Sequence, residues 1–175
     1  IDIASGGYTV TIQNLKILGV LGSDGVNIGA TNACTVKILN CDFVPYSGVK
    51  TTAVRVVNGD GDGPVTIQYC NIGAGAGTWN TVSIINMDTT LTVDAANNWW
   101  NSYKGPDENE DYEGGLRYAA TTSGDGVVNT SSYTLGAFRV DTDGDGYYNN
   151  DDEDDDGDSY TDVEEVAAGT DPLTW

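Results

Sequence analysis

The stretch Val10-Thr-Ile-Gln-Asn-Leu-Lys-Ile17 decides the fold of this chain, because it recurs along the first hundred residues. The further copies are Val36-Lys-Ile-Leu-Asn-Cys-Asp-Phe43, Val65-Thr-Ile-Gln-Tyr-Cys-Asn-Ile72 and the degenerate Leu91-Thr-Val-Asp-Ala-Ala-Asn-Asn98. Successive copies start 26, 29 and 26 residues apart. Self-similarity at a period in the twenties is the signature of a stacked repeat architecture.

A second short motif shares this period and recurs as Val26-Asn-Ile28, Val54-Arg-Val56 and Val82-Ser-Ile84. Both motifs alternate apolar and polar residues, which is the period of a β-strand. The apolar parity shifts once between Ile12 and Leu15, which predicts a corner of about two residues between two strands. Three short parallel strands in each repeat predict an all-β fold, a short right-handed parallel β-helix of about four rungs.

Stacking the repeats places their apolar residues in columns inside the coil. One predicted inward column is Leu15, Cys41, Cys70 and Ala96, and another is Ile17, Phe43 and Ile72. The three cysteines cannot all pair within the chain. Because the Cβ vectors of Cys41 and Cys70 would be parallel, we expect both as buried thiols, which act as small apolar residues. Cys34 lies in a predicted loop, so we expect it to be the most reactive thiol.

Two acidic stretches near the end of the chain repeat the spacing of an EF-hand-type calcium loop, with oxygen ligands at positions 1, 3, 5, 7, 9 and 12. In the first loop these are Asp141, Asp143, Asp145, the Tyr147 carbonyl, Asn149 and Asp152. In the second loop they are Asp154, Asp156, Asp158, the Tyr160 carbonyl, Asp162 and Glu165. Position 6 is Gly146 in the first loop and Ser159 in the second. Tandem loops in full register predict calcium, Ca²⁺, as the cofactor.

The charge of the chain is concentrated in residues 141–175, which we call the acidic segment. The whole chain has 27 acidic residues, seven basic residues and no His, and the acidic segment contains no Lys or Arg. Without metal we expect it to be disordered, because it has few apolar residues and repels itself. The chain offers no basic face for nucleic acid and no apolar run of about 18 residues for membrane insertion.

Two parts of the chain resemble known families. Ala96-Asn-Asn-Trp-Trp-Asn-Ser102, followed by Gly105-Pro106, resembles the closing segment of bacterial and archaeal surface β-helix proteins. That resemblance implies that Trp99 and Trp100 cover the open end of the core. The acidic segment resembles the thrombospondin type 3 calcium repeats of secreted proteins, which implies structural calcium sites. After its second loop, the sequence predicts a short helix at Val163–Ala168 that ends at Gly169.

These patterns predict three parts: a parallel β-helix at 1–102, a closing segment at 103–140 that packs on it, and a tandem calcium-binding repeat at 141–175. The composition, with little Lys and much Gly, Asn, Thr, Asp and Ser, fits a secreted or cell-surface protein. The sequon Asn129-Thr-Ser131 could be glycosylated there. Because the chain starts at Ile1 without Met or a signal peptide, we expect a processed protein or a fragment.

Three classes of function remain open for such a protein. A polysaccharide lyase would need a base such as Arg55 beside Asp60 and Asp62. These three residues alone are weak support for a catalytic site. A carbohydrate-binding or adhesin module, with a cell-surface glycan as partner, would need an exposed aromatic row, for which Trp79, Tyr103 and Tyr112 are scattered candidates. We expect the third class, a non-catalytic extracellular structural protein. Its uncapped N-terminal end predicts head-to-tail stacking into a homo-oligomeric filament or surface layer.

Overall fold

The computed structural model describes residues 1–3, 7–18, 24–29, 34–44, 51–57, 63–73, 81–100, 105–106, 117–121 and 126–175. Its strands are β1 Asp2–Ile3, β2 Thr9–Gln13, β3 Lys16–Leu18, β4 Asp24–Ile28, β5 Thr35–Leu39, β6 Asp42–Val44, β7 Thr51–Val56, β8 Val65–Gln68, β9 Asn71–Ile72, β10 Thr81–Asn86, β11 Thr92–Asp94, β12 Arg117–Thr121 and β13 Val127–Asn129. The one helix within these ranges is α1, Asp162–Ala168. No helix in these ranges has the length and apolar character needed to cross a lipid bilayer.

The chain passes through three parallel sheets in turn. Sheet 1 has the order β1-β4-β7-β10-β12, sheet 2 the order β13-β11-β8-β5-β2, and sheet 3 the order β3-β6-β9. All strand pairs in them are parallel, with Val10 opposite Val36, Val36 opposite Val65, and Ile17 opposite Phe43. The predicted parallel strands starting at Val10, Val36 and Val65 are therefore confirmed. This cyclic arrangement is consistent with a β-helix-like fold.

The corner between sheets 2 and 3 is made by one left-handed residue in each repeat. Asn14, Asn40, Tyr69 and Asn97 have φ of 57°, 56°, 57° and 57°. Asparagine tolerates this conformation better than most residues. The Asn40 amide also donates to Asn14 Oδ1 at 2.6 Å, which links adjacent corners. The predicted bend is confirmed, and the asparagine shared by the first two copies, Asn14 and Asn40, was the signal for its geometry.

The core follows the inward columns with two exceptions, Leu15 and Ala96. Ala96 is buried, but Thr66 lies opposite Asp94 and Asn71 opposite Trp99, so the fourth copy is displaced by two residues from its sequence alignment and the predicted place of Ala96 beside Cys70 is wrong. Phe43, Ile72, Cys41 and Cys70 are buried, and Ile17 is half-buried. Leu15 is 46% exposed, so its predicted place inside the coil is wrong. It belongs to the first repeat, and within the described ranges no further repeat lies beyond it to cover it.

The cysteines are all buried free thiols. The backbone N–H of Cys41 donates to Cys70 Sγ at 3.4 Å, which confirms that these two side chains stack as unlinked thiols. Cys34 is only 2% exposed, and its Sγ donates to the Tyr8 carbonyl at 3.0 Å. The expectation that Cys34 is the accessible, reactive thiol is therefore wrong, because it sits at the buried start of β5.

One copy of the second motif is also shifted from its sequence alignment. The sequence pairs Val54 with Val82, but the structure places Val54 opposite Ile84, two residues further on. An irregularity next to Ser83, where β7 contains one residue more than β10, changes the register once more within this strand pair. Ile84 lies in the core, and the buried Asn86 amide donates to the carbonyls of Leu91 and Val127.

The end of the stack near residue 100 is closed by buried side chains. Trp99 and Trp100 are 4% and 0% exposed. The Asn98 amide donates to the carbonyls of Ile67 and Ala95, and its oxygen accepts from the Cys70 N–H. Strands β12 and β13 then extend sheets 1 and 2, so parallel pairing continues past residue 102.

The opposite end of the stack is an edge. Strands β1, β2 and β3 are each the outermost strand of a sheet. Tyr8 and Leu18 are 74% and 63% exposed there. Within the described residues, this end therefore presents unpaired strand edges beside apolar side chains.

Candidate metal centre

The first acidic loop gathers the carboxylates predicted at its first three ligand positions. Asp141, Asp143 and Asp145 each offer one oxygen, and these oxygens lie within 4.8 Å of one another. The loop is turned by Asp141, whose two oxygens accept from the N–H groups of Gly144 (2.7 Å) and Gly146 (3.1 Å). Gly146 has φ of 103°, which only glycine adopts readily. This acidic cluster could hold a metal ion.

The second loop repeats this geometry residue by residue. Asp154, Asp156 and Asp158 offer oxygens within 4.8 Å of one another. Asp154 accepts from the N–H groups of Gly157 (3.1 Å) and Ser159 (2.9 Å), as Asp141 does in the first loop. Ser159 has φ of 81°, so it takes the left-handed turn predicted for position 6 despite its side chain.

The two position 7 residues, Tyr147 and Tyr160, have exposed side chains. Their N–H groups donate to Asp145 Oδ1 and Asp158 Oδ1, both at 2.8 Å. These bonds hold the carboxylates at position 5. Ligation by the two tyrosine carbonyls stays a prediction.

The position 9 side chains, Asn149 and Asp162, are buried and tie each loop together. Asn149 Oδ1 accepts from the backbone N–H of Thr142 at 3.1 Å. Asp162 Oδ1 accepts from the N–H of Asp155 at 3.0 Å. The equivalent bonds show that this position supports the loop backbone, and its direct ligation of a cation stays a prediction.

The position 12 residues, Asp152 and Glu165, differ in the way they are held. Asp152 Oδ1 accepts from the N–H groups of Glu153 (2.7 Å) and Asp154 (3.1 Å), so this carboxylate holds the backbone at the start of the second loop. Glu165 lies on α1 and is buried. The predicted helix is confirmed, and it ends at Gly169 with φ of 84°. The sequence analysis missed its capping box, in which Thr161 and Glu164 cap each other's backbone.

Among the predicted ligands of the second loop, two buried oxygens are without a hydrogen-bond partner in the described part of the chain: Asp156 Oδ2 and Glu165 Oε2. Burial raises the pKa of both carboxyls, and the neighbouring carboxylates raise them further. Charged oxygens are rarely buried without a partner, because the loss of water is costly. Asp156 belongs to the carboxylate cluster, whereas the described structure does not bring Glu165 into it. A cation bound in the second loop would compensate this buried negative charge, so the loop fits a metal site.

Asp155, between the first two ligands of the second loop, is a feature that the sequence analysis missed. Its side chain is 1% exposed. Burial raises the pKa of Asp155 to about 8, with smaller contributions from Asp162, Asp152 and other carboxylates. The pattern of the loop marks this position as variable, so the sequence carried no signal of its burial.

The acidic segment is joined to the sheets through two residues just before it, Phe138 and Arg139. The Asn71 amide donates to the Phe138 carbonyl, and its oxygen accepts from the Phe138 N–H. The Phe138 ring packs edge-on against Tyr69 at 6.1 Å. The Arg139 guanidinium, from a left-handed backbone position, donates to Asn40 and Asp42. We call these contacts the Phe138–Arg139 attachment; they fix the loops beside the corner between sheets 2 and 3.

The residues considered for other functions lie elsewhere. Arg55 donates through Nε to Asp24 Oδ2 at 2.8 Å and forms an ion pair with it. The Asn129 amide, in β13, faces Asp94 Oδ1 at 3.5 Å. Outside the described residues lie Asp60, Asp62, Trp79, Tyr103 and Tyr112.

Comparisons with protein-family models, curated proteins and solved structures found no match to this chain.

Proposed function

We propose that this chain is a non-catalytic, extracellular structural protein in which a short right-handed parallel β-helix of about four rungs carries a calcium-binding module at residues 141–175. Calcium orders the module, and copies of the chain stack head to tail into a filament or surface layer. The observation that most directly supports the calcium-binding module is a pair of buried oxygens, Asp156 Oδ2 and Glu165 Oε2, for which the described residues provide no hydrogen-bond donor.

The donor set favours calcium over other cations. The cluster atoms are carboxylate oxygens, which suit hard cations, and the chain contains no His to favour zinc. Each loop offers up to six oxygen positions on a flexible turn. Calcium accepts six to eight oxygens in variable geometry, whereas magnesium demands near-ideal octahedral geometry. Twelve candidate ligands in two loops therefore point to two calcium ions.

Metal binding supplies the folding free energy of the acidic segment in this proposal. The segment has few buried apolar side chains and no basic residue to balance its charge. Its carboxylates repel one another when the cation is removed. Chelation is therefore expected to unfold 141–175 while the parallel sheets persist.

The calcium site is tested with the substitution Glu165→Gln, which keeps the size of the side chain and removes its charge. Glu153→Gln is the matched control, since Glu153 is exposed and is not a predicted ligand. Isothermal titration with calcium is expected to show a loss of affinity of at least tenfold at one site for Glu165→Gln and little change for Glu153→Gln. Equal affinity in both variants, or no calcium binding by the unaltered chain, would refute the site.

Self-assembly is supported by the strand edges at one end of the stack. Just after β2, the N–H of Asn14 donates to the Leu39 carbonyl of β5. Because the backbone groups of a strand point to alternate sides, those of Thr11, in β2, face the open edge. An edge of this kind recruits further strands. A second copy of the chain supplies parallel strands of the same period. Head-to-tail stacking would cover the exposed side chains of Tyr8 and Leu18.

Electron microscopy and analytical ultracentrifugation with calcium and with chelator test the stacking. Thr11→Pro removes an outward N–H from the edge without touching the pairing to β5, and is expected to abolish filaments. Thr11→Val keeps the N–H and is the control. Monodisperse monomers of the unaltered chain in millimolar calcium would refute self-assembly and leave the calcium site standing.

The described residues give little support to the other two classes of function, the polysaccharide lyase and the carbohydrate-binding or adhesin module. The ion pair with Asp24 gives Arg55 a structural role within sheet 1, which weakens it as a catalytic base. The burial of Trp99 and Trp100 removes them from an exposed aromatic row. Retention on a glycan array without self-assembly would favour the adhesin class over the structural one.

A further inference from the structure

A pocket of about 460 Å³ lies between the second acidic loop, α1 and the turn that follows α1. It lies beside the carboxylate cluster of that loop and is not the cluster itself, because only Asp158 among the three cluster residues lines it. We call it the Tyr160–Trp175 pocket. Two aromatic rings and four carboxylates line it, from Tyr160, Trp175, Asp158, Glu164, Glu165 and Asp171.

The two aromatic rings of the pocket are open to solvent. Tyr160 is 64% exposed and Trp175 is 89% exposed. The face of an aromatic ring attracts a cation, and tryptophan does so most strongly. Aromatic side chains are also enriched where proteins bind one another. The rings therefore offer a contact surface to a ligand that carries positive charge.

The carboxylates of the pocket have binding capacity to spare. Glu164 uses Oε2 for the capping box, and Asp171 uses Oδ1 to accept from the Leu173 N–H at 3.1 Å. Within the described residues, the second oxygen of each makes no hydrogen bond. The buried Glu165 Oε2 also has no donor there. A ligand that donates hydrogen bonds and brings positive charge would satisfy these oxygens.

Calcium in the two loops does not balance the charge around this pocket. The acidic segment has fourteen acidic residues and no basic one, and two divalent ions balance four of these charges. Ala168, the last residue of α1, lines the pocket, and the last turn of α1 contains no basic residue. Because the C-terminal end of a helix carries partial negative charge, it also favours a cation. The pocket therefore attracts a cation while calcium is bound.

We propose that the Tyr160–Trp175 pocket binds an Arg or Lys side chain from a basic segment of a partner protein. The cationic group packs against the two rings and pairs with Asp171 and Glu164. Arginine fits best, because its planar guanidinium stacks on aromatic rings and donates to carboxylates in pairs. This inference goes beyond the calcium module and rests on it only for the folded state of residues 141–175.

Isothermal titration of the full chain in millimolar calcium with a blocked Gly/Ser peptide that contains three arginines measures this binding. A second peptide with citrulline at each arginine keeps the shape and removes the charge. The arginine peptide is expected to bind about tenfold more tightly. No binding of this peptide, or equal affinity for both peptides, would overturn the proposal. Calcium titration of the same chain reports on the loop sites separately, so the failure of either proposal is distinguished.

Matched variants separate the pocket from general attraction between opposite charges. Tyr160→Ala is compared with Tyr147→Ala, because both tyrosines are exposed at position 7 of a loop and only Tyr160 lines the pocket. Asp171→Asn is compared with Asp151→Asn, which removes the same charge outside the pocket. The pocket variants should bind the arginine peptide about fivefold more weakly, and the controls should change its affinity by less than about twofold. Equal losses in both groups would contradict a specific pocket.

Trp175→Ala keeps the test independent of folding, because a side chain that is 89% exposed contributes little to the fold. It should weaken binding of the arginine peptide about fivefold and leave the calcium titration unchanged. An unchanged affinity for the peptide would overturn the proposal. If the arginine peptide dissolves filaments of the chain itself, the occupant of the pocket is a second copy, and a separate basic partner is ruled out.

Discussion

Replacing Asn71 with alanine tests how the acidic segment is held against the sheets. The Asn71 side chain is 5% exposed and makes three hydrogen bonds. Its amide nitrogen donates to Asp42 Oδ1 at 2.8 Å and to the Phe138 carbonyl at 3.1 Å, and its oxygen accepts from the Phe138 N–H at 2.9 Å. Alanine removes all three and leaves both backbone groups of Phe138 without this partner.

The expected cost follows from these bonds. Each intramolecular hydrogen bond contributes about 1 kcal/mol net, so the loss of three lowers the free energy of unfolding by about 3 kcal/mol. Asn71→Asp is expected to cost at least as much, because it keeps the acceptor but turns both donors into a carboxylate facing Asp42 and the Phe138 carbonyl. Asn150→Ala is the matched control and should change stability by less than about 0.5 kcal/mol.

Urea unfolding in saturating calcium, followed by tryptophan fluorescence, measures these differences. Amide hydrogen exchange locates them, since Asn71→Ala should also raise exchange around residues 138–140. A fall in the free energy of unfolding of less than about 1 kcal/mol, or one equal to that of Asn150→Ala, would refute the view that the Phe138–Arg139 attachment holds the acidic segment against the sheets.

Three further predictions follow from the same structure. Iodoacetamide should leave Cys34, Cys41 and Cys70 unmodified in the native chain and alkylate all three in urea, as read by mass spectrometry; fast labelling of Cys34 would contradict its burial. In chelator, the acidic segment should unfold as the pH rises from the ordinary carboxyl range towards 8, because burial raises the pKa of Asp155 to about 8 and the folded state then loses protons that stabilise it; the measure is a fall in amide protection factors, which are corrected for the intrinsic pH dependence of exchange. Saturating calcium should reverse that trend, because it binds the deprotonated carboxylates. Thr161→Ala removes the N-cap of α1 and should cost about 1 kcal/mol in calcium-bound urea unfolding, while Thr161→Ser should restore most of it.

The repeats could be predicted from the sequence because alternation and period are local signals. The copies starting at Val10, Val36 and Val65 show both, and their strands lie where the pattern places them. Strand β12 escaped notice because Arg117-Tyr-Ala-Ala-Thr121 has no clear alternation. The exposure of Leu15 could not be foreseen either, because its pattern equals that of Cys41 and only its place at the end of the stack differs.

The candidate site, too, was predictable only where its signals are local in the sequence. The spacing of Asp141 to Asp145 and of Asp154 to Asp158 identified both carboxylate clusters, since ligand order within one loop is a local property. The backbone of Gly136, which lies against Asp155, and the partners of Asn71 come from other parts of the chain. The bond from Asn71 to Phe138 spans 67 residues, and no periodicity relates those two positions.

The cyclic path through the three sheets also has a consequence for folding. Hydrogen bonds between neighbouring repeats join residues 26, 28 and 29 positions apart, so each layer closes a loop of nearly constant length. Loop-closure entropy changes little over that range, which gives every layer a similar kinetic barrier. Folding can then proceed like a zipper in either direction, with the longer closure to Phe138 as a separate event. Truncation from one end should accordingly lower stability in steps, one layer at a time.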